Sequence, residues 1–273
     1  MRSERYDARD LGAAWASLRR VKPLVFHVTN SVAMALQANV ALSLGASPIM
    51  SPHPDETAEL VGIADAFLLN LGTPTLTSIL AAERGMAAVK ERGCFSLLDP
   101  VGYGASRLRN SFTDELLRSH AFSVIKGNEG EISLLSGSGG AVRGVDSSHA
   151  GDLRGGVVRL ARERSCVVCA TGPEDLLSDG ESLVTVSGGS ALLPSVSGSG
   201  CAAGTVVLSV TAACKDAFLG TLCGLVAMGL ASERAEKRCR GSASFAVALV
   251  DELHALRAED FEEAEGRWCS EGV

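Results

Sequence analysis

The chain has 273 residues, of which 25 are Lys or Arg and 32 are Asp or Glu, so its formal net charge is −7. This acidic balance argues against non-specific binding to nucleic acid, because proteins that bind in this way carry an excess of basic residues or a basic stripe. Hydrophobic residues make up 46% of the chain and charged residues 21%, which supports a buried core and excludes a disordered protein.

Short apolar segments alternate with longer segments of helical period through most of the chain. The predicted strands are Leu24–Thr29, Ser47–Met50, Ala66–Asn70, Cys94–Leu98, Ala121–Ile125 and Ser165–Ala170. The predicted helices between them are Ser31–Leu44, Pro54–Ile63, Thr75–Arg92, Arg107–Ser119 and Asn128–Ser136. Because the strands are apolar throughout, both of their faces must be buried, which indicates a mostly parallel sheet with helices on either side. The sequence therefore predicts an α/β fold.

The second half of the chain is less regular. The Gly- and Ser-rich segment Gly137–Asp146 predicts a surface loop, and a helix is expected after it over about Ser148–Arg164. Two short segments, Leu176–Ser178 and Ser182–Thr185, flank an Asp-Gly pair that is typical of a hairpin turn. The last third, from Cys201 to about residue 267, is predicted to be almost wholly helical. No change in composition marks a linker, so residues 1–273 are expected to form a single domain.

The sequence predicts a protein outside the membrane and in a reducing, cytoplasmic compartment. The longest apolar stretch, Thr205–Met228, is interrupted by Lys215 and Asp216, and a membrane helix needs about 20 uninterrupted apolar residues. The charged N-terminus has no apolar core of a signal peptide. Eight cysteines are therefore expected to be thiols. The pair Cys166 and Cys169 lies inside an apolar segment, which favours a buried strand over a metal site.

Several predicted strands end in a polar residue that is followed closely by glycine. Asn70, Asp99, Lys126 and Thr171 occupy such positions, and Glu131 follows Lys126 in the next turn of chain. In an open parallel sheet the carboxyl ends of the strands form the edge where ligands bind. A polar residue before glycine is also an ordinary end of a strand, but four successive examples favour a functional edge.

A glycine-rich turn, Gly198-Ser-Gly-Cys201, precedes the apolar helical stretch of the last third. Such a turn presents free backbone N–H groups and the positive end of the helix dipole, which together suit a phosphate. It is not a Walker A loop, because no Gly-Lys-Ser or Gly-Lys-Thr follows. Cys201 lies in the first turn, where the dipole would lower its pKa and make it a base or a nucleophile. The alternative is a small buried residue.

Taken together, these segments resemble the hydroxyethylthiazole kinase family, and the resemblance covers about residues 20–260. The segments that carry it, in the order seen in the family, are Phe26-His-Val-Thr-Asn-Ser-Val32, Leu44-Gly-Ala-Ser-Pro-Ile-Met50, Asn70-Leu-Gly-Thr73, Asp99-Pro-Val-Gly-Tyr-Gly-Ala105, Ile125-Lys-Gly-Asn-Glu-Gly-Glu-Ile132, Ala170-Thr-Gly172 and Gly198-Ser-Gly-Cys201. The resemblance implies a ribokinase-like fold. It also implies phosphorylation of 4-methyl-5-(2-hydroxyethyl)thiazole with ATP and Mg²⁺ in thiamine salvage, by a homotrimer with active sites between subunits.

The resemblance also implies roles for individual residues. The positions concerned are Met50 and Gly198 for the thiazole, Lys126 and Thr171 for the ATP phosphates, Asp99 and Glu131 for Mg²⁺, and Cys201 in place of the aspartate base of the wider superfamily. His27 and Asn30 are expected to shape the pocket of a neighbouring subunit, and a core histidine is an equal alternative for His27.

Two departures from the family pattern bear on the affinity for ATP. Ser199 stands where threonine is usual, and Lys126 stands where arginine is also common. Three other functions remain open on the sequence. The acceptor could be another heterocyclic alcohol, the protein could be a hydrolase with Cys201 as nucleophile and His27 as base, or it could be a thiazole sensor without catalysis. The kinase interpretation requires Asp99, Lys126, Glu131 and the turn before Cys201 to converge on one face of the sheet.

Overall fold

A computed structural model of the chain describes residues 5–139, 141–143, 146–148 and 152–273. The helices within these ranges are α1 (Ala8–Val21), α2 (Met34–Leu44), α3 (Pro54–Ile63), α4 (Leu76–Arg92), α5 (Arg107–Ser119), α6 (Glu129–Leu135), α7 (Leu153–Arg164), α8 (Ser199–Cys214), α9 (Ala217–Glu236) and α10 (Ser242–Ala255). The strands are β1 (Leu24–Val28), β2 (Ser47–Met50), β3 (Ala66–Asn70), β4 (Phe95–Asp99), β5 (Val124–Asn128), β6 (Ala141–Arg143), β7 (Asp146–Ser148), β8 (Val167–Thr171), β9 (Asp175–Ser178), β10 (Ser182–Val186) and β11 (Trp268–Gly272). Short 3-10 helices cover Leu193–Ser195 and Ala258–Ala264.

A nine-stranded sheet forms the centre of the molecule, with the strand order β11-β10-β9-β8-β5-β4-β3-β1-β2. The six strands from β8 to β2 are parallel to one another. Strands β9, β10 and β11 continue the sheet in antiparallel pairing, and the predicted hairpin is the β9–β10 connection. The expected mostly parallel sheet is confirmed. Its parallel part places the carboxyl ends of β1, β3, β4, β5 and β8 along one edge.

Helices cover both faces of the sheet, as the apolar strands predicted. Successive strand residues point to opposite faces, so Val25 and Leu68 pack with α1, α2, α8, α9 and α10, while Phe26 and Phe67 pack with the layer that contains α3 and α4. The rings of Phe26 and Phe67 stack with their centroids 5.4 Å apart. Apolar layers therefore pack on both faces of the sheet. The polar groups of a functional site must then lie at the edge where the strands end.

Three predicted strands, β4, β5 and β8, lie later in the chain than expected. The sequence predicted Ala121–Ile125, and β5 runs from Val124 to Asn128. The apolar pattern ends at Ile125, but the backbone ladder with β8 continues through Lys126, which pairs with Cys169. Strand β4 likewise extends to Asp99. The two charged residues are thus part of the sheet itself, which holds their backbone rigidly.

Other segments differ more from the sequence analysis. Helix α1 and strand β11 were not predicted, and the last third is not wholly helical because it ends in a 3-10 turn and β11. The expected loop Gly137–Asp146 contains β6, which pairs with β7, while residues 140, 144 and 145 lie outside the described residues. The helix expected from Ser148 begins at Leu153 as α7, and residues 149–151 also lie outside the described residues.

The apolar stretch of the last third forms two helices rather than one. Helix α8 ends at Cys214, Lys215 adopts a left-handed φ of 62°, and Asp216 caps the start of α9. Across the described part of the chain, every helix is too short or too polar to pass through a bilayer. The eight cysteines are all free thiols.

Candidate functional site

The ends of β3, β4 and β5 bring an amide, a carboxylate and an ammonium together. Asn70 pairs in register with Asp99 on the neighbouring strand, and Lys126 lies on the next strand. The Nζ atom of Lys126 is 3.9 Å from Oδ2 of Asp99, and the two side chains are only 2% and 4% exposed. A buried charge is stable only when it is paired, so these residues stabilise each other.

Burial and the attraction between the two charges have opposite effects on the pKa values of Asp99 and Lys126. Burial raises the pKa of Asp99, and the charge of Lys126 and the amide of Asn70 partly offset that rise. For Lys126, burial is the largest single influence and would lower the pKa, but the charges of Asp99 and its other acidic neighbours together raise the pKa. The ammonium of Lys126 is therefore held in its charged form at the base of the site.

Glu131 lies beside this pair and is fixed by two backbone N–H groups. Gly102 donates to Oε1 at 2.7 Å and Asn128 donates to Oε2 at 2.9 Å. The Asn128 side chain in turn caps the backbone N–H of Glu131 at 2.8 Å. Burial raises the pKa of Glu131 to about 7, and the charge of Asp99 contributes to the rise. A cation between the two carboxylates would relieve this repulsion.

Asp99 and Glu131 suit Mg²⁺ that is held mainly through water and phosphate. Among the described residues, no three His, Cys, Asp or Glu side chains form a cluster that could enclose a metal. Mg²⁺ commonly takes one or two carboxylates and completes its shell with waters and substrate phosphates, so two carboxylates are sufficient. Both oxygens of Glu131 already accept backbone N–H groups, which favours contact through water for this residue.

The glycine-rich turn lies on the same side of the sheet edge as the charged residues. Gly198 precedes α8 with a φ of 85°, and a Cβ built on it would be 2.8 Å from Cβ of Ala33. A Cβ on Gly204, six residues further along the chain in α8, would be 3.9 Å from Oδ2 of Asp99. The first-turn N–H groups of a helix have no partner inside the helix. The turn, Asp99, Lys126 and Glu131 therefore converge, as the kinase interpretation requires.

Cys201 is held in this site by two side-chain amides. Asn70 donates to its Sγ at 3.2 Å and Asn30 donates at 3.4 Å. Burial raises the pKa of Cys201 to about 11, and the charge of Asp99 adds to the rise. The expectation that the helix dipole would lower this pKa was wrong, because burial next to a carboxylate outweighs the dipole. The thiol is neutral near pH 7.

His27 is a core residue and does not reach Cys201. Its Nδ1 lies 3.0 Å from the carbonyl oxygen of Val25 and its Nε2 lies 3.3 Å from the hydroxyl of Thr205. Complete burial lowers the pKa of His27 to about 4, so the ring is neutral. Of the two sequence interpretations, the core histidine is the one observed. A hydrolase with a Cys201–His27 pair is disfavoured, because the ring of His27 hydrogen bonds to Val25 and Thr205 and not to Cys201.

Thr171 and Met50 lie further from the centre. Thr171 ends β8, next to β5, and its hydroxyl donates to the carbonyl of Gly127 at 3.2 Å. Met50 ends the edge strand β2, which is three strands from β4. With neighbouring strands about 4.8 Å apart, the separation is roughly 14 Å. Within one chain, Thr171 thus borders the charged cluster and Met50 does not.

Three further residues build the site, and the sequence analysis gave them no role or a different one. Asn30 was expected to face a neighbouring subunit, but it contacts Cys201 and Asn70 of its own chain. Gln37 donates to the carbonyl oxygen of Cys201 at 3.1 Å. Arg109 donates to the carbonyls of Leu71 at 2.8 Å and Val101 at 2.6 Å, so it joins the loops after β3 and β4.

A separate cavity of about 330 Å³ lies at the opposite edge of the sheet. It is lined in part by Ser123 and Val167, at the amino ends of β5 and β8, and by Phe218. Arg5 and Asp179 form an ion pair at 2.5 Å at its border. Because the charged cluster lies at the carboxyl ends of the same strands, this cavity takes no part in the candidate site.

The chain is similar in sequence to known enzymes over most of its length. The model of the hydroxyethylthiazole kinase family matches residues 15–259. The chain is 41% identical over 258 residues to a hydroxyethylthiazole kinase of Methanocella arvoryzae, covering 93% of this chain and 96% of that protein. It is 42% identical over 252 residues to the enzyme of the same name from Nitratidesulfovibrio vulgaris strain DP4, covering 90% and 93%.

Solved structures show the same architecture. The hydroxyethylthiazole kinase protein of Pyrococcus horikoshii OT3 superposes with a TM-score of 0.85 at 31% identity, covering 96% of this chain and 98% of that one. A ribokinase-like superfamily protein of Enterococcus faecalis V583 gives 0.62 at 11% identity, covering 94% and 92%. The second likeness shows the fold alone, and it confirms the ribokinase-like architecture.

Proposed function

Because the chain belongs to the hydroxyethylthiazole kinase family, we propose that it transfers the γ-phosphoryl group of ATP to the hydroxyl of 4-methyl-5-(2-hydroxyethyl)thiazole. Such a reaction serves thiamine salvage. The observation that carries the proposal is the convergence of Asp99, Lys126, Glu131 and the start of α8 at one edge of the sheet. Charge neutralisation and positioning are what phosphoryl transfer requires.

In this reaction the alcohol oxygen forms a bond to the γ-phosphorus while the bond from that phosphorus to the bridging oxygen breaks. The electron pair of the broken bond stays on ADP, and the alcohol proton passes to water once the new bond to phosphorus has formed. The N–H groups at the start of α8, after Gly198, face the transferred group, and the ammonium of Lys126 and the hydroxyl of Thr171 hold the remaining phosphates. Such preorganised donors act most strongly in a site that excludes water.

Cys201 acts in this proposal as a neutral group that touches the alcohol. Its pKa of about 11 leaves the sulfur protonated, so it orients the hydroxyl rather than removing its proton. A loose transition state needs little help from a base, because the alcohol keeps its proton until late. Asp99 and Glu131 would hold Mg²⁺, which would supply charge neutralisation for the phosphates.

We propose further that the enzyme is a single-domain homotrimer with sites between subunits and that it works in the cytoplasm. In support, Met50 ends the edge strand β2, three strands from Asp99, and a neighbouring chain could supply the rest of its pocket. Exposed apolar side chains also follow the carboxyl ends of the strands, among them Val32 at 63% and Leu76 at 83%. The eight free thiols suit a reducing compartment.

The direct test is an ADP-release assay with a panel of alcohols. We expect ADP to appear when Mg·ATP and the thiazole alcohol are both present, and we expect calorimetry to show binding of the thiazole alone. Hydroxymethyl heterocycles in the same assay serve as the comparison. Faster turnover of one of them would replace the proposed acceptor, and thiazole binding without ADP release would indicate a sensor.

A further inference from the structure

Asn70 is buried at the end of β3, and its amide is fully hydrogen bonded. Its Nδ2 donates to Oδ2 of Asp99 at 2.9 Å and to Sγ of Cys201 at 3.2 Å. Its Oδ1 accepts from Nδ2 of Asn30 at 2.8 Å and from the backbone N–H of Gly72 at 3.0 Å. An asparagine amide has two donor hydrogens and two acceptor lone pairs, so all four are used.

These partners also fix the direction in which the amide points. A flipped amide would place its NH₂ group against the backbone N–H of Gly72 and its oxygen against the carboxylate of Asp99. Asn30 is itself anchored, because its Oδ1 accepts from the N–H of Ala33 at 2.8 Å. Gly72 leaves room for the side chain of Asn30, because a Cβ on Gly72 would be 2.7 Å from Cβ of Asn30. The loops after β1 and β3 therefore set the orientation of Asn70.

The saturated amide joins two reactive groups from different parts of the chain. Asp99 belongs to β4, and Cys201 belongs to the first turn of α8. Asn70 has no hydrogen-bonding capacity left for a substrate. In the part of the chain that the structure describes, by contrast, no group hydrogen bonds to Oδ1 of Asp99, which leaves that oxygen for a ligand.

We propose that Asn70 is a positioning residue for phosphoryl transfer, which fixes the thiol of Cys201 and the carboxylate of Asp99 at set places around the acceptor hydroxyl. The inference rests on the proposed function, since it assumes that the hydroxyl lies against Cys201. Misplacement of a reacting group by about 1 Å costs roughly 10²-fold in rate, so loss of both amide donors should reduce turnover by that factor.

The matched test replaces the donors and keeps the acceptor. Asn70→Asp is nearly the same size and retains an oxygen for Gly72 and Asn30, but it removes both N–H bonds. We expect kcat to fall about 10²-fold and KM for the thiazole alcohol to stay within about threefold. Asn39→Asp makes the same chemical change on the exposed side of α2 and should behave as the wild type. A wild-type kcat for Asn70→Asp, or a change in KM alone, would overturn the proposal.

A double variant shows whether Asn70 acts through Cys201. Residues that act as a unit give losses that do not multiply, so Asn70→Asp combined with Cys201→Ala should lose less than the product of the two single losses. Losses that multiply would contradict the inference. If Asn70→Asp does not fold, Asn30→Ala provides the second test, because it removes one donor from Cys201 and one from Asn70. We expect kcat to fall about tenfold in that variant, and a wild-type value would count against the proposal.

Alkylation of Cys201 gives a readout that needs no turnover. Peptide mapping after treatment with iodoacetamide at pH 8 measures its rate separately from the other thiols. A carboxylate in place of the Asn70 donor disfavours the thiolate, so we expect about tenfold slower alkylation in Asn70→Asp and no change in Asn39→Asp. Should the wild type fail to phosphorylate the thiazole while this difference is seen, the proposed function fails, and only the control of the Cys201 thiol by Asn70 is supported. An unchanged rate would overturn the positioning role itself.

Discussion

Asp175 carries a half-buried carboxyl group at the start of β9, next to the edge proposed to bind phosphate. Its Oδ1 accepts from the backbone N–H of Gly172 at 3.0 Å. Burial raises the pKa of Asp175 from 3.8 to about 6; the bond from Gly172 and the charge of Lys126 oppose the rise, and Glu129 adds to it. In the folded protein this carboxyl group therefore keeps its proton to a higher pH than in the unfolded chain.

The pH dependence of the free energy of unfolding should reveal the titration of Asp175. Between pH 3.8 and about 6 the folded state binds more protons than the unfolded state, so the free energy of unfolding falls as the pH rises through that window. A pKa about two above the ordinary value corresponds to at most about 3 kcal/mol. Asp175→Asn keeps an acceptor for Gly172 and removes the titration. We expect its Tm to fall less than that of the wild type between pH 4.5 and 7.

The control for this measurement is Asp251→Asn, which changes an exposed carboxylate on α10. Its melting curves should follow those of the wild type at every pH, because an exposed carboxylate contributes little to stability. If the Tm values of the wild type and of Asp175→Asn change in parallel between pH 4.5 and 7, Asp175 is not the group that takes up the proton on folding.

The residues of the candidate site were predictable to different degrees. Asp99 and Lys126 end parallel strands, and the geometry of such sheets brings strand ends together whatever the rest of the sequence is. The environment of Cys201 was not predictable, because its pKa depends on burial and on amides from the loops after β1 and β3. Contacts of that kind join positions more than a hundred residues apart, and local patterns carry no signal for them.

Among the helices and strands, the continuous apolar strands were predicted best. Strand β3 agrees with its prediction at both ends, since both of its faces are buried and its apolar run ends where the strand ends. Strand β11 has no such apolar pattern, and this segment is a strand because it pairs with β10. Helix α1 did have a local signal. Asp7 forms a capping box, and Leu11, Trp15 and Leu18 form one buried face.

The turn before helix α8 should be sensitive to a single methyl group added at Gly198. Gly198 adopts a φ of 85°, and a Cβ there would meet Cβ of Ala33 at 2.8 Å. We expect Gly198→Ala to lose about 1 kcal/mol of stability from backbone strain, with a further loss from the collision. Because the turn orients the N–H groups at the start of α8, kcat should also fall about 10²-fold, as measured in the ADP-release assay.

Gly93 offers a matched control for the strain. It ends α4 with a φ of 71°, and a Cβ built on it would meet no atom within 4 Å. Gly93→Ala should therefore lose about 1 kcal/mol of stability in thermal unfolding and keep its turnover. If Gly198→Ala loses stability to the same extent and keeps wild-type kcat, the turn does not position the reacting phosphoryl group.

The surface of the molecule around the functional edge of the sheet is partly apolar. Leu76 and Leu80 lie one turn apart at the start of α4, with 83% and 53% of each residue exposed, and Leu108 at the start of α5 is 54% exposed. Ser31 and Thr73 hydrogen bond between the neighbouring loops, so the segment that carries Val32 lies close by. Exposed apolar groups that recur beside a site are typical of an interface between subunits.

This arrangement makes the proposed trimer testable with two substitutions. Burying a leucine contributes about 2 kcal/mol, and a buried unpaired carboxylate costs more, so Leu76→Glu combined with Leu80→Glu should dissociate the assembly. Sedimentation velocity should give three times the chain mass for the wild type and the mass of one chain for the variant, with kcat falling in parallel because Met50 no longer meets its site. Val247→Glu, at a 64% exposed position on α10, should keep the wild-type mass. A monomeric wild type, or a double variant of unchanged mass, would contradict this surface as the subunit interface.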